Sequence, residues 1–260
     1  MKTAAAKRSL YLFFAVLIVS GVILAPQTVS AQPDGKDIVE KANELMRGNT
    51  SKAQLRMKIV RPSWEREMQL KTWSLGNDFT MIYIESPPRD EGTTFLKRKN
   101  QIWNWVPRVG RVVKLPPSMM MQSWMGSDFT NDDLVEEASI VTDYHHKVVG
   151  DTTINGYDCW EISLKPKPEK AVVWDEVIMH IAKEHYYELR TEFYDEEGEM
   201  VNMMTGSEIE EFENRTLPSR YEMIPMDKEG HKTIMIYENV EFNIDIPERF
   251  FTIQNMKRLD

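Results

Sequence analysis

Alternation of apolar and polar residues at a period of two constrains the fold of this chain more than any other feature. In "QLRMKIV", Leu55, Met57 and Ile59 alternate with polar residues, which is typical of a half-buried strand. The pattern recurs in paired segments separated by turn residues: "MQLKTWSL" and "FTMIYIES" around 76–78, "TTFLKR" and "QIWNWV" around 99–100, "YELRTEFY" and "EMVNMM" around 195–198, and "RYEMIPM" and "TIMIYENVEFNI" around 227–230. Consecutive hairpins build an antiparallel meander, and a long meander curls on itself. We therefore expect a mainly β fold with one concave face.

Two segments have helical rather than strand-like features. Between Gly35 and Gly48, "KDIVEKANELMR" places apolar residues at helical spacing, and Gly48 supplies a C-terminal stop. Thr130 and Asp133 resemble a capping box that opens "NDDLVEEA". The sequence predicts one amphipathic N-terminal helix and one short mid-chain helix that cover the concave face.

The first 31 residues have the pattern of a secretory leader. Three cations precede an apolar run from 10 to 25, and Val29, Ser30 and Ala31 give a small-x-small cleavage pattern. The run is shorter than the roughly 20 residues that cross a bilayer, which disfavours the alternative of a retained anchor helix. We expect cleavage after Ala31 and a single domain over 32–260, without a membrane span.

Charge and cysteine usage exclude several classes of function. The formal net charge is -9, and it becomes -12 once Lys2, Lys7 and Arg8 leave with the leader. A nucleic-acid binder needs a basic stripe, so this class is not expected, and the same acidity argues against electrostatic docking on anionic lipid. Cys159 is the only cysteine, so no internal disulfide forms, and we interpret it as an inert buried thiol.

Motifs that carry chemistry are absent or fail on geometry. Neither G-x-S-x-G nor S-x-x-K nor a Gly-rich phosphate loop occurs. His180 and His185 superficially resemble H-x-x-E-H, but the spacing has one residue too many and "VIMHIAKEHYYEL" alternates like two strands joined by a turn. His145 and His146 point to opposite faces of a strand. We predict no metal, no cofactor and no catalytic residue.

Large flexible apolar side chains accumulate in one part of the chain, and "PPSMMMQSWMGSDFTNDDL" has neither a helix nor a strand period. Methionine adapts to irregular apolar partners. This segment is either a loop packed permanently on the sheet or a movable cover for an apolar cavity, and its residue types fit both. The candidate ligand-binding residues are Phe95, Trp103, Trp105, Met119, Met120, Met121, Trp124, Met125 and Leu134.

The segment "ESPPRDEGTTFLKRKNQIWNWVPRVGRVVKLPPSMMMQSWMGSDFTNDDL" resembles the outer-membrane lipoprotein-sorting protein family, the relatives of LolA and LolB, as do "INGYDCWEISLKPK" and "YENVEFNIDIPERFF". The resemblance implies an unclosed antiparallel β-barrel, or half-barrel, around helices, with an apolar cavity that carries acyl chains through the periplasm. It favours the interpretation of the Met-Trp segment as a lid. Arg89, Arg108 and Arg111 are candidates, by neighbourhood alone, for polar or partner contacts.

Three functions follow as hypotheses. The first is a periplasmic carrier that takes acyl chains of a lipid or lipoprotein from an inner-membrane exporter or passes them to an outer-membrane acceptor. The second is a non-enzymatic assembly factor that docks a membrane exporter through its apolar patch. The third is a lipid-directed enzyme, which would need a nucleophile and a base brought together from distant positions.

Overall fold

A computed structural model describes residues 33–99, 101–131, 133, 139–170 and 172–259. The chain divides into two units, Met1–Ala31 and Gln32–Asp260, and the described residues belong to the second. Thirteen strands form one antiparallel sheet. They are β1 Thr50–Arg61, β2 Trp64–Leu75, β3 Phe79–Ser86, β4 Thr94–Arg98, β5 Gln101–Val106, β6 Arg111–Lys114, β7 Tyr144–Ile154, β8 Tyr157–Pro166, β9 Glu176–Ala182, β10 Glu188–Tyr194, β11 Met200–Phe212, β12 Arg215–Pro225 and β13 Lys232–Phe242.

Among the described residues there are three α-helices, of which two are single turns. Helix α1 covers Gly35–Arg47, α2 covers Ser139–Thr142 and α3 covers Ile253–Met256, with 3₁₀ turns at Pro117–Met119 and Glu248–Phe250. The Asp34 side chain caps α1 by accepting a hydrogen bond from the Lys36 backbone nitrogen at 3.0 Å. The apolar side of the amphipathic α1 is buried, with Ile38, Val39 and Ala42 each at most 3% exposed.

The strand order is β6-β5-β4-β3-β2-β1-β13-β12-β11-β10-β9-β8-β7. Every neighbouring pair is consecutive in the chain except β1 with β13, and no described pairing joins β6 to β7, so the sheet is not closed into a barrel. Strands β6 and β7 are therefore opposite edges. The segment between them, residues 115–143, has to pass from one edge of the sheet to the other, and we call it the connecting segment.

The two faces of the sheet are covered by different parts of the chain. The inner face carries the main core, including Leu55, Leu70 and Met179, and packs against α1 and the connecting segment. The outer face of β2–β5 packs against the C-terminal segment, residues 244–259. Neighbouring strands therefore bury their apolar side chains on the same face of the sheet, as the alternation of side chains along a strand requires.

The predicted fold class is confirmed, and so are the hairpins and the N-terminal helix. The helix predicted over 131–138 lies largely outside the described residues. Its capping box is present, because the Thr130 backbone nitrogen donates to Asp133 Oδ2 at 2.7 Å and the Asp133 nitrogen donates to Thr130 Oγ1 at 3.1 Å.

Candidate functional site

A cavity of ≈ 250 Å³ lies between the inner face of the sheet, α1 and the connecting segment. Most of its lining is apolar and comes from nearly every element that faces it. The principal apolar side chains are Val39, Ala42 and Met46 of α1; Ala53, Leu55 and Met57 of β1; Leu70 and Ile82; Trp124, Phe129 and Ile140; Trp174, Val177, Met179 and Phe193; and Met204, Met223, Met235 and Val240.

Strand β1 gives the cavity its length. Alternate residues Ser51, Ala53, Leu55 and Met57 all line it. At 3.3 Å per residue this row spans about 20 Å. One leaflet of a bilayer's hydrocarbon core is about 15 Å thick, so the row is long enough for an acyl chain of an ordinary membrane lipid.

Six of the lining residues are methionines: Met46, Met57, Met179, Met204, Met223 and Met235. Methionine is unbranched and polarizable, and it packs against ligands of different shape at little cost. Such a lining suits a site that binds hydrocarbon without strict shape selection.

Polar side chains line the cavity at the end where β1 begins. Ser51 Oγ and Ser74 Oγ are 2.7 Å apart on paired residues of β1 and β2. Ser74 pairs with Thr80 on β3, and Arg47 Nη2 donates to Thr80 Oγ1 at 3.5 Å. All four residues line the cavity and make this end polar, and the lining also includes the carboxylates Asp133 and Glu188.

The connecting segment forms the wall at the opposite end of β1 and is firmly attached there. Arg61 Nη1 lies 2.9 Å from Asp128 Oδ2, and these side chains are 10% and 6% exposed. Arg61 Nη2 also donates to the Gly126 carbonyl oxygen at 2.9 Å, and Thr233 Oγ1 donates to Asp128 Oδ2 at 2.7 Å. Arg66 Nη2 donates to the carbonyl oxygen of Met125. The segment is therefore held to β1, β2 and β13.

Trp124 is the largest side chain that this wall turns to the cavity. It is 1% exposed, and its ring centroid is 5.4 Å from that of Phe95 on β4. The Trp124 backbone nitrogen donates to the Phe129 carbonyl oxygen at 2.8 Å. Its indole Nε1 has no hydrogen-bond partner among the described residues, which is unusual for a buried donor.

The structure places the ligand-binding residues proposed from the sequence in different surroundings. Trp124 lines the cavity, and Phe95 and Met125 pack in the core beside it. Met120 packs against Ile102 and Leu115, whereas Met121 is 55% exposed. Met119 lies half-buried in the 3₁₀ turn, and Leu134 lies outside the described residues.

Trp103 and Trp105 lie on the outer face, away from the cavity. The register pairs Phe95 with Asn104, so the tryptophans on either side of Asn104 point to the other side of the sheet. There they pack in the cluster that contains Phe251 and Met256 of the C-terminal segment. Arg89, Arg108 and Arg111 are exposed, in or beside the β5–β6 hairpin.

Sequence reasoning missed most of the cavity lining, above all the inward methionines of β11, β12 and β13. Their alternation was visible, but a period of two does not say which of the two sides faces the cavity. The row in β1 was the clearest signal, because Leu55, Met57 and Ile59 share a side with Ala53.

Burial shifts the pKa of two titratable side chains, His146 and Cys159, toward their neutral forms. Burial lowers the pKa of His146, whose Nε2 lies 2.7 Å from the Ile140 carbonyl oxygen, and this favours the neutral ring. Burial also raises the pKa of the Cys159 thiol, which disfavours the reactive thiolate. His180 Nε2 lies 3.6 Å from Glu161 Oε2 on the outer face. The described residues contain no group of three or more His, Cys, Asp or Glu side chains arranged to hold a metal ion.

Comparisons with known proteins place the fold. A family model whose description reads "Uncharacterized protein" matches residues 76–258. Similar solved structures include a DUF1329 family protein from Desulfovibrio piger, with a TM-score of 0.77 and 20% identity over 85% of this chain and 97% of that one. A putative outer membrane lipoprotein-sorting protein domain from Vibrio parahaemolyticus has a TM-score of 0.76 and 21% identity over 86% and 98%.

A LolA superfamily protein from Nitrosomonas europaea is also similar, with a TM-score of 0.73 and 20% identity over 86% of this chain and 99% of that one. These identities establish a shared fold. A search of the curated proteins gave no match. Within the described ranges, none of the helices is both long enough and apolar enough to span a bilayer.

Proposed function

We propose, on the premise that the chain belongs to the family whose model spans residues 76–258 and has the LolA superfamily fold, that it is a periplasmic lipid carrier. In this proposal the inner cavity binds acyl chains of a lipid or lipoprotein, and the protein transfers them between envelope partners. Residues 1–31 act as the export leader and residues 32–260 as the carrier domain. The observation that carries the proposal is the elongated apolar cavity between the sheet, α1 and the connecting segment.

Burial of hydrocarbon supplies the affinity. Each methylene transferred from water contributes about 0.8 kcal/mol, so ten methylenes contribute about 8 kcal/mol before the costs of association. No polar recognition of the chain is needed. The described lining residues include no histidine and no cysteine, so the proposal assigns no covalent step to the cavity.

The polar end gives the ligand a direction. An amphiphile bound with its chain along β1 would place its headgroup beside Arg47, Ser51 and Thr80 and the end of its chain near Met57 and Trp124. The opposite orientation would bury a headgroup beside Met57, Trp124 and Phe129, at a cost of several kcal/mol, and an anionic headgroup there would also be repelled by the carboxylate of Asp133. Arg47 favours a headgroup that accepts hydrogen bonds.

The first test is to identify what the protein retains when purified without detergent from the cell envelope of its host. A carrier is expected to yield a stoichiometric lipid or acylated peptide on extraction and mass spectrometry. Consistently empty protein, together with no uptake of a fluorescent fatty acid, would contradict the proposal and favour an assembly factor that does not use the cavity.

The second test fills the cavity. Ala42 on α1 is 3% exposed and lines the cavity, so Ala42→Trp puts a large ring into the space that a ligand would occupy. We expect affinity for a fluorescent fatty acid to fall about tenfold or more, since losing contact with two methylenes already costs about that factor. Glu40→Trp, on the exposed side of the same helix, is the matched control and should bind as the wild type does. Equal binding by both variants would place the ligand elsewhere.

A further inference from the structure

The charge of this acidic chain is unevenly distributed. Residues 92–127 contain six basic side chains and no Asp or Glu, in a chain whose formal net charge is -9. This stretch builds β4, β5, β6 and the start of the connecting segment, which together form one edge of the sheet. Net charge alone argued against docking on anionic lipid, but it averages over this local cluster.

Four of the six cations are exposed and unneutralised. Lys99, Arg108, Arg111 and Lys114 are exposed, and none forms an ion pair with a described residue. The remaining two differ, because Arg98 Nη2 pairs with Glu248 Oε1 at 3.1 Å and Lys97 is buried. The four exposed cations lie on the β4–β5 turn, the β5–β6 turn and the edge strand β6.

Large apolar side chains are exposed along the same edge. Val109 at the tip of the β5–β6 hairpin is 63% exposed, Val113 on β6 is 50% exposed and Met121 just beyond β6 is 55% exposed. These values are among the highest for large apolar side chains in the described part of the chain. We call these three residues and the four cations the basic edge.

We propose that the basic edge docks on the surface of an anionic lipid bilayer. Exposed cations flanking exposed apolar side chains are the combination that binds membrane interfaces, since the cations attract anionic headgroups and the apolar groups enter the acyl boundary. The exposed apolar tip at Val109 favours a lipid surface over a nucleic acid, because an apolar side chain has no role on a purely polar polyanion. The acidic remainder of the molecule is repelled by the same surface and fixes the orientation.

Neighbouring charges reduce the attraction at the hairpin tip without cancelling it. Arg108 Nη2 donates to the Pro88 carbonyl oxygen at 3.1 Å, so the loop that carries Arg89, Asp90 and Glu91 lies beside the tip. That loop contributes one cation and two carboxylates. Arg111 and Lys114 lie farther along β6, so they are the cations to change in a test.

The location links docking to the cavity. Phe95 on β4 packs against Trp124, and the connecting segment leaves the sheet from β6. Docking by this edge would bring the Trp124 wall of the cavity close to the lipid. The inference extends the proposed carrier function by naming the surface with which the carrier exchanges its ligand, but the docking itself does not require a filled cavity.

The experiment measures binding of the full-length mature protein to vesicles by flotation at low ionic strength. Vesicles of phosphatidylcholine are compared with vesicles of equal parts phosphatidylcholine and phosphatidylglycerol. We expect binding to the anionic vesicles that weakens as salt rises. Arg111→Gln with Lys114→Gln should lower the partition coefficient about thirtyfold, at about fivefold per charge removed.

Two further variants make the test specific. Lys36→Gln with Lys147→Gln changes the net charge equally on exposed residues of α1 and of the opposite edge strand β7, and should bind like the wild type. Val109→Ser should lower the fraction that stays bound at high salt, where apolar insertion remains. Fluorescent fatty-acid uptake without vesicles is measured for every variant and should not change.

The outcomes separate the two proposals. The docking proposal is overturned if the wild-type protein does not bind anionic vesicles or binds both compositions equally. It is also overturned if the variant with Arg111→Gln and Lys114→Gln binds as tightly as the wild type. Intact fatty-acid uptake in the same samples would leave the carrier function standing. Loss of uptake in Ala42→Trp with normal vesicle binding would support the two independently.

Discussion

Asp128 and Arg61 decide how firmly the connecting segment is held. The two side chains are almost fully buried, and Asp128 also accepts a hydrogen bond from Thr233. A buried pair is not by itself a strong source of stability, because desolvation offsets most of the attraction. Removing one partner is costly, however, since the other is left charged and buried. The pair therefore fixes the position of the connecting segment, because any other position would leave a buried charge without its partner.

Asp128→Ala should destabilise the protein by about 3–5 kcal/mol, because Arg61 is then buried without a counterion. Urea unfolding measures the change. Arg61→Met with Asp128→Leu should recover most of the loss, since apolar residues of similar size avoid the desolvation cost. Asp227→Ala is the control, because Asp227 is 68% exposed and lies 4.0 Å from Lys228, so its removal should cost less than about 0.5 kcal/mol. A small effect of Asp128→Ala would show that the segment does not depend on the pair.

Single residues also show how far the sequence could go. The predicted turn at 99–100 pairs Arg98 with Gln101, and counting outward pairs Phe95 with Asn104. That count already puts Trp103 and Trp105 on the face opposite Phe95, so their placement could have been predicted. What could not be predicted is which face bears the cavity, because this depends on α1 and the connecting segment, and no local pattern encodes their contacts.

At the scale of elements, the path of the connecting segment across the sheet explains its amino-acid composition. Its ends are fixed at opposite edges of the sheet, and its middle packs into the core through Trp124 and Phe129. A chain that passes over an apolar face without regular structure needs apolar side chains at irregular spacing, which is what the Met-Trp stretch supplies. Of the two hypotheses made from the sequence, the described contacts bear on packing, and movement of the segment stays a prediction. The described part of the segment is a packed loop, and it is also a wall of the cavity.

The two faces predict different effects for two tryptophans. Trp124→Leu and Trp103→Leu should each lower stability, the former by about 2 kcal/mol or more because Trp124 is fully buried. Affinity for a fluorescent fatty acid should fall about tenfold in Trp124→Leu, which loses wall contacts worth about two methylenes, and should not change in Trp103→Leu. Calorimetry and titration of both variants measure the two quantities separately. An equal loss of affinity in both would mean that the outer face also contributes to binding.

At the scale of the whole molecule, the sheet depends on covers for both faces. α1 and the connecting segment cover the inner face, and the C-terminal segment covers the outer face near β3 and β4. Ile246, Phe251 and Met256 are 8%, 0% and 1% exposed. Burying three such side chains contributes about 5–9 kcal/mol, which is comparable to the whole stability of a typical domain.

Deletion of residues 246–260 should therefore abolish cooperative unfolding or lower the melting temperature steeply, and expose Phe79, Met81 and Leu96 to a hydrophobic dye. Deletion of 258–260 alone removes only Leu259 from the cluster and should have a much smaller effect. Thermal melts and dye binding of the soluble fraction measure both. A stable monomer after the longer deletion would show that the outer face does not need this cover.

The strand order has a consequence for the chain as it is being made. Eleven of the twelve pairings join consecutive strands and can form as each hairpin emerges, but β1 pairs with β13, where Ser51 faces Phe242. At 5–20 residues per second, the nascent chain carries β1 for about 10–40 s before its last partner exists. Closing so long a loop costs about 5 kcal/mol of entropy. During that interval one edge of β1 is unpaired and open to other strands and to proteases. We therefore expect the pairing of β1 with β13 to form last.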